Sequence, residues 1–226
     1  QYAKYSMVSL KMQLYQPLIT LLSYYSHDFQ MLEVYNYSKR EKLIDIGGMN
    51  VNITTQRLLI RNFDAEDFPA IYSYLSDKTV MHYMPEGVFD EEQVRKFITE
   101  NSDEQAKHFA IVLREQQLVI GHIVFHRYFG EHTYEVGWVL NPRYQNHGFA
   151  SEAARAVLDY GFTEMKLHRI IATCQPENIA SYRVMEKIGM RREGFFKKCI
   201  PNGDDWWDEY YYAILQEEWT NKGACE

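Results

Sequence analysis

The feature of the sequence that most restricts the fold is a strand–helix–strand unit between residues 133 and 174. The strand-like run TYEVGWVL ends at Asn141-Pro142, and the amphipathic segment GFASEAARAVLDYGFTEM precedes a second strand-like run, RIIATC. Proline stops the ladder of the first strand because it has no N–H to donate. Two strands joined by such a crossover run parallel, and the connection is right-handed. The unit therefore predicts one parallel pair in a sheet that helices cover.

The segments on either side predict antiparallel strands and further helices. HFAIVLR and LVIGHIVFHRY are separated by the three residues EQQ, and REGFFKKCI and WDEYYYAIL flank the turn PNGD. Both spacings are typical of hairpins. Helices are predicted after the capping residues Asp64 and Asp90 and over IASYRVMEKIG. For residues 49 to 226 we therefore predict a mixed α/β fold, a central, mostly antiparallel sheet with one parallel pair and flanking helices.

Residues 1 to 48 differ from the rest of the chain. They hold seven of the eighteen tyrosines, and their large apolar residues recur at steps of three or four, as on one face of a helix. These residues are Leu14, Leu18, Leu21, Tyr25, Phe29 and Leu32. The run KREK and the pair Gly47-Gly48 then break the pattern. We predict a helical N-terminal extension that packs on the main domain or on a second chain, the latter giving a homodimer.

Charge and cysteine usage argue against several classes of function. The formal net charge is −7, whereas a nucleic-acid partner requires clustered Lys and Arg. Three widely spaced cysteines give no zinc or disulfide pattern, so we expect no metal and a reducing, cytoplasmic location. The most apolar run of the N-terminal region, PLITLLSYY, is shorter than the roughly 20 residues of a membrane span. We expect neither a nucleic-acid nor a membrane partner.

The turn QNHGFA, residues 145 to 150, lies between the first strand of the crossover and its helix. The first N–H groups of a helix have no internal partner and carry partial positive charge, which suits a diphosphate. Gly148 removes the side chain where a phosphate would approach, and Ala150 keeps the next turn small. The turn matches neither a Walker A loop nor G-x-G-x-x-G. Two readings stay open at this point, a plain helix start and a diphosphate cradle.

Four segments of the chain, taken in order, resemble a known family. GWVLNPRYQNHGFASEA resembles motif A of the GNAT superfamily of N-acetyltransferases, whose phosphate loop has the form Q/R-x-x-G-x-G/A, and NIASYRVMEKIGM resembles its companion helix. TTQRLLIRNF and DEYYYAILQEEW resemble the two ends of the branch that includes RimJ- and RimL-type ribosomal-protein N-alpha-acetyltransferases. The resemblance covers residues 52 to 219. It implies a GNAT-like acyl-CoA N-acyltransferase fold, with acetyl-CoA as co-substrate and an amine as acceptor.

The resemblance also implies a set of cofactor-binding residues. Main-chain amides would bind the CoA pyrophosphate, namely those of Gln145, Asn146, His147, Gly148, Phe149 and Ala150, with Ser151 as a further donor. Where two strands splay apart, three residues would lie beside the pantetheine arm, namely Trp138, Val139 and Leu140. Asn178 would place its amide near that arm or serve as a helix N-cap. Loop 82–89 would line the acceptor pocket through Tyr83, Met84 and Phe89.

Amine attack on a thioester needs a base for the amine and a proton for the leaving thiolate. In TYEVGW, Glu135 lies on the strand face opposite Tyr134 and Val136. A carboxylate in such a strand is costly to bury unless it is paired or functional, and the resemblance makes it the base. Many relatives place the acid, a tyrosine, where this chain has Met185, so Ser181 is the substitute we predict.

Two functions remain open from the sequence. The first is an acetyl-CoA-dependent N-acetyltransferase whose acceptor is a protein N-terminus, for example of a ribosomal protein, or a small-molecule amine. The second is a CoA-binding pseudoenzyme or regulatory module whose N-terminal helix recruits a partner. Met185 at the usual tyrosine position favours the second, and Glu135 on the central strand favours the first.

Overall fold

A computed structural model of the protein describes residues 51–223, so the helical extension predicted for residues 1–48 lies outside the described part. Within that part, eight strands form one sheet in the order β1-β2-β3-β4-β5-β6-β8-β7. The strands are β1 (Asn52–Thr54), β2 (Leu58–Arg61), β3 (His108–Leu113), β4 (Leu118–Phe129), β5 (Thr133–Leu140), β6 (Arg169–Cys174), β7 (Arg191–Asn202) and β8 (Asp205–Leu215). The helices are α1 (Phe68–Leu75), α2 (Glu91–Thr99), α3 (Phe149–Thr163), α4 (Ile179–Lys187) and α5 (Gln216–Gly223).

The predicted fold class is confirmed. Among the described strands, β5 and β6 form the parallel pair and all other neighbours are antiparallel. The predicted caps are also present, since the Asp64 carboxylate accepts from the Glu66 N–H and the Asp90 carboxylate accepts from the Gln93 N–H at 2.8 Å. After Asp64 a 3₁₀ turn over Ala65–Asp67 comes first, and α1 begins at Phe68.

Two elements were not predicted. β1 is three residues long, which is too short to show the alternation that identifies a strand. α5 has the sequence QEEWTNKG, whose single large apolar residue gives no helical stripe. The part of the chain that is described contains no helix both long and apolar enough to cross a membrane.

Helices cover both faces of the sheet. β3 shows why, because Phe109 and Ile111 face one buried cluster while Ala110 and Val112 face a second. The first cluster contains the apolar side of α3, and the second contains α1 and α2. Burying each large side chain of these clusters contributes about 1.5–3 kcal/mol, so the sheet between them is fixed firmly.

The parallel pair separates along its length. β5 and β6 are paired only between Thr133–Glu135 and Arg169–Ile171. Residues 136–140 of β5 continue without a β6 partner, while their other edge stays paired with β4. The main-chain edge of β5 that would face β6 is therefore unpaired over these residues, and we call the space beside it the groove. One end of this groove lies at Glu135, and the other at the turn that leads into α3.

Candidate active site

The turn between β5 and α3 exposes main-chain amides. Asn146 (φ 63°) and Gly148 (φ 80°) both take left-handed conformations, and α3 begins at Phe149 without a side-chain cap on Gly148. The first three N–H groups of α3 therefore have no acceptor among the described residues. Such a helix start binds anions readily.

Side chains of the same turn hold its shape. The Gln145 amide donates to the Leu140 carbonyl at 3.2 Å, and the His147 ring nitrogen Nδ1 lies 2.7 Å from the Gln145 carbonyl. The His147 ring also stacks on Phe149, with 5.8 Å between the ring centroids. Ser151 is buried. The sequence-predicted residues of this region therefore lie together in one turn.

Three supporting residues were missed by sequence reasoning. The Arg57 guanidinium donates to the His147 carbonyl at 3.1 Å and pairs with Glu152 at 2.6 Å, while its carbon Cζ lies 4.5 Å from the centroid of the Phe149 ring. The Thr55 hydroxyl donates to Glu152 at 2.6 Å. Burial alone would raise the pKa of Glu152, but the hydrogen bonds from Thr55 and Arg57 outweigh it and lower that pKa. Because 95 residues separate Arg57 from Glu152, no local signal could have found this pair.

The strand residues predicted beside the groove pack their side chains into the core. Val139 and Leu140 are buried, and Trp138 packs against the α3 cluster. These side chains hold β5 in place, so the groove is lined by its main chain. Such an edge can pair with the amides of an extended ligand.

Glu135 lies where β5 and β6 separate. Its side chain is 25% exposed, and its carboxylate accepts a hydrogen bond from the Thr173 hydroxyl at 3.4 Å. His126 Nε2 lies 3.7 Å from its Oε2. Burial raises the pKa of Glu135, and His126 and Thr173 oppose that rise. A carboxylate with a raised pKa at the end of a groove is suited to act as a general base.

The start of α4 lies next to the end of β6. The Asn178 side chain accepts from the Ser181 N–H at 3.2 Å, so Asn178 is a helix N-cap. Burial raises the pKa of the Cys174 thiol to about 11, and a hydrogen bond with the Ser181 side chain opposes this rise. Cys174 therefore stays a thiol at neutral pH. Met185 is buried in the α3 cluster, one turn further along the helix.

The loop predicted to line the acceptor pocket contacts the end of β6. The Gln175 amide donates to the Tyr83 carbonyl at 3.2 Å, although 92 residues separate them. Met84 and Phe89 pack partly against the α1–α2 cluster, and the Phe89 ring meets Phe97 edge-on. Of the three predicted residues, Tyr83 is therefore tied to β6 by its main chain, and the other two help to anchor the loop.

Histidines outside the groove have a packing role. His122 is buried, and its Nδ1 lies 3.0 Å from the Tyr74 hydroxyl. The His108 ring packs against His122 and Phe97. Within residues 51–223, no three His, Cys, Asp or Glu side chains are grouped in a way that could hold a metal ion.

Comparisons with known proteins agree with this geometry. The sequence model described as "Acetyltransferase (GNAT) domain" matches residues 57–191. "Uncharacterized N-acetyltransferase YnaD" of Bacillus subtilis (strain 168) is 67% identical over 170 residues, which cover 75% of this chain and 100% of that protein. A solved acetyltransferase (GNAT family) from Bacillus anthracis is 65% identical, with a TM-score of 0.73 over 74% of this chain and 100% of that one.

The predicted branch has more distant support. "[Ribosomal protein uS5]-alanine N-acetyltransferase" of Escherichia coli (strain K12) is 25% identical over 183 residues, covering 75% of this chain and 93% of that protein. The family itself is shown by the match to more than half of the chain and by the 67% identity of YnaD. The predicted enzyme class is thereby confirmed, and the chain belongs to the GNAT family of N-acetyltransferases.

Proposed function

We propose that the protein transfers the acetyl group of acetyl-CoA directly to a primary amine, either a protein N-terminus or a small molecule. The observation that carries the proposal is the relation between Glu135 and the amides at the start of α3, which lie at opposite ends of one free strand edge. From Glu135 to Leu140 the strand extends about 17 Å. A pantetheine arm along this edge, with its diphosphate at α3, would bring its thioester to Glu135.

The proposed roles follow from the position of each group. The carboxylate of Glu135 accepts a proton from the acceptor's ammonium group, which frees the nitrogen lone pair for attack. The new C–N bond forms as the C–S bond breaks, and the electron pair moves to sulfur. The Ser181 hydroxyl at the start of α4 stabilises the leaving thiolate, or passes its own proton to sulfur and takes up the second proton of the nitrogen. It thereby takes the part of the usual tyrosine, at whose position Met185 is buried.

The acceptor site is proposed on the side of the groove next to loop 82–89. The loop is held at the end of β6 through Tyr83 and Gln175, so its other residues can come close to the thioester. A distant likeness to a ribosomal-protein acetyltransferase supports a peptide N-terminus, and the half-buried Glu135 supports any cationic amine.

The experiment measures thiol release from acetyl-CoA with a panel of acceptors. The panel contains tetrapeptides beginning with Ala or Ser, n-butylamine and 1,4-diaminobutane. We expect Glu135→Gln to lower kcat about 10²- to 10⁴-fold and Ser181→Ala about tenfold. Glu131→Gln, an exposed glutamate in the turn before β5, is the matched control and should keep wild-type turnover. Calorimetry should show unchanged CoA affinity in all three variants.

Two results would contradict the proposal. Turnover by the wild type on no acceptor would reject acetyl transfer to these amines. Wild-type rates in both Glu135→Gln and Ser181→Ala would reject the assignment of base and acid while leaving the activity in place.

A CoA-binding pseudoenzyme is the second candidate, favoured by the burial of Met185 at the position where many relatives have a tyrosine. It predicts CoA binding by calorimetry without thiol release on any acceptor of the panel. The homodimer predicted through residues 1–48 stays a prediction, because those residues lie outside the described part. Sedimentation of the full chain, with and without CoA, tests it.

A further inference from the structure

We propose that His126 is a second proton acceptor in the active site, and that it holds the acceptor's ammonium group together with Glu135. The inference rests on the proposed acetyl transfer and adds one residue to the same site. His126 lies directly opposite Glu135 in the register of β4 and β5, so both side chains lie on the same face of the sheet. Both are half-buried, with 29% of the His126 side chain exposed.

The hydrogen bond on one side of the ring fixes which nitrogen carries the proton. His126 Nδ1 lies 2.9 Å from the carbonyl oxygen of Arg127. A carbonyl oxygen can only accept, so Nδ1 must be the donor. In the neutral ring Nε2 is therefore an acceptor, and it is the nitrogen that faces Glu135.

The two facing atoms are both hydrogen-bond acceptors, and no donor lies between them among the described residues. Nε2 of His126 and Oε2 of Glu135 lie 3.7 Å apart, too far for a hydrogen bond between them. The Thr173 hydroxyl donates to the other oxygen, Oε1, and no described residue donates to Oε2. A nitrogen with several N–H groups, placed about 2.9 Å from each atom, would donate to both. An incoming ammonium group meets this requirement, whereas a hydroxyl group, with one proton, does not.

Both protons that the nitrogen loses in the reaction are accounted for. The ammonium group gives one proton to the pair, and its freed lone pair attacks the thioester carbon. The C–N bond forms, the C–S bond breaks, and the second nitrogen proton ends on sulfur. Overall, ammonium and thioester give amide, thiol and one proton. Since His126 is partly exposed, it can release that proton to water.

Titratable groups lie around the pair of His126 and Glu135 on several elements. His108 on β3 acts on His126, and Glu209 on β8 acts on Glu135. Tyr128, two residues along β4 from His126, lies near Glu135 and near Tyr211 of β8. Burial lowers the pKa of His108 to about 4, so His108 stays neutral near pH 7 and does not compete for the proton. Glu209 acts with burial to raise the pKa of Glu135, which makes a shared proton on this face more favourable.

The experiment compares His126→Gln and His126→Ala with wild type from pH 5.5 to 9, using the acceptor of the panel above that reacts fastest. We expect kcat/KM to fall about 10- to 100-fold at pH 7 and the acidic limb of the pH profile to move. Added imidazole should restore at least about tenfold activity to His126→Ala, because it occupies the vacated space. CoA affinity and melting temperature, measured alongside, should remain near wild type in at least one variant.

His132→Gln is the matched control, since His132 is an exposed histidine in the turn between the same two strands. It should keep both the rate and the pH profile. This inference alone is overturned if the wild-type protein is active while the His126 variants show an unchanged pH profile and no rescue by imidazole. Absence of wild-type turnover on every acceptor overturns the proposed function and this inference together.

Discussion

The two ends of the groove between β5 and β6 are built in different ways. At the α3 end, one continuous stretch, residues 145–151, supplies main-chain amides. At the other end, the groups are the side chains of His126 from β4, Glu135 from β5 and Thr173 from β6. The first end depends on local backbone conformation, and the second on how distant strands are aligned.

This difference teaches where specificity can change. Under the proposed function, the main-chain end binds the diphosphate that every CoA-dependent relative must hold, because such a site needs little more than a helix start and a glycine. A site made of side chains from three strands can be altered one residue at a time while the sheet stays intact. The predictions below test whether the two ends are in fact separable.

The largest effect is expected between the two ends, at Gly121 of β4. A Cβ at this position would lie 2.2 Å from the Val139 carbonyl oxygen and 2.9 Å from the Leu140 Cα, which are both main-chain atoms of β5. Neither can move without shifting the strand that joins the ends. We expect Gly121→Ala to lower the free energy of unfolding by about 3 kcal/mol, measured by urea denaturation. CoA binding should weaken in the folded fraction.

Gly137→Ala is the matched control on the paired strand. Its Cβ would lie 3.5 Å from side-chain atoms of Val124, an ordinary contact, so the loss should stay below about 1 kcal/mol. Equal stability of the two variants would show that β5 adjusts freely, and the ends would then not be joined by a rigid strand.

The second prediction is that the side-chain end lies next to a pH-sensitive part of the fold, whereas the main-chain end does not. Burial lowers the pKa of His108 from 6.5 to about 4, and its Nδ1 has no partner among the described residues. The unfolded chain thus takes up a proton first as pH falls. The neutral, buried His108 therefore makes its full contribution to the free energy of unfolding above pH 6.5. As pH falls towards 4 that free energy decreases by on the order of 3 kcal/mol.

Unfolding of wild type and His108→Phe between pH 7.5 and 4 measures this contribution. Over that range the free energy of unfolding of the variant should fall by about 3 kcal/mol less than that of wild type. At pH 7 the two proteins should be about equally stable. His147→Gln, an exposed histidine at the α3 end, should follow the wild-type curve. Parallel curves for wild type and His108→Phe would mean that His108 is not held neutral.

The same difference explains how much could be predicted from the sequence. The strand–helix–strand unit and its turn are local patterns, so the fold class and residues 145–150 were within reach. Glu135 stood out because a carboxylate interrupts the apolar residues of a strand. The family resemblance, rather than periodicity, singled out Ser181.

The remaining site residues required the three-dimensional alignment of distant segments. His126 opposes Glu135 only through the β4–β5 register, and Thr173 reaches it because β6 pairs in parallel for three residues. A shift of one residue would move either side chain to the other face of the sheet. Arg57 reaches the α3 start from β1–β2, which no local pattern encodes.

The third prediction concerns Gly148 at the main-chain end. Its φ of 80° costs any other residue about 1–2 kcal/mol, and a Cβ would lie 3.6 Å from a guanidinium nitrogen of Arg57. We expect Gly148→Ala to weaken CoA binding about tenfold by calorimetry, because a methyl group would enter the space that we propose for the diphosphate. Gly203→Ala carries a similar strain (φ 60°) with open space around it in the β7–β8 turn. That control should lose comparable stability and keep wild-type CoA affinity, and an equal loss of affinity would contradict a local cradle.

The smallest effect is expected from the charges beside the α3 start. Glu152 would repel a diphosphate, and Arg57 offsets that charge while it holds the His147 carbonyl. Arg57 is 43% exposed, so Arg57→Gln should weaken CoA binding only about threefold, and Glu152→Gln should strengthen it slightly. Arg114→Gln removes a nearby positive charge whose guanidinium donates to the main-chain carbonyls of residues 55 and 56, and it should leave the affinity unchanged. An equal loss in Arg57→Gln and Arg114→Gln would mean that the α3 end responds to overall charge, and that side chains do not shape it.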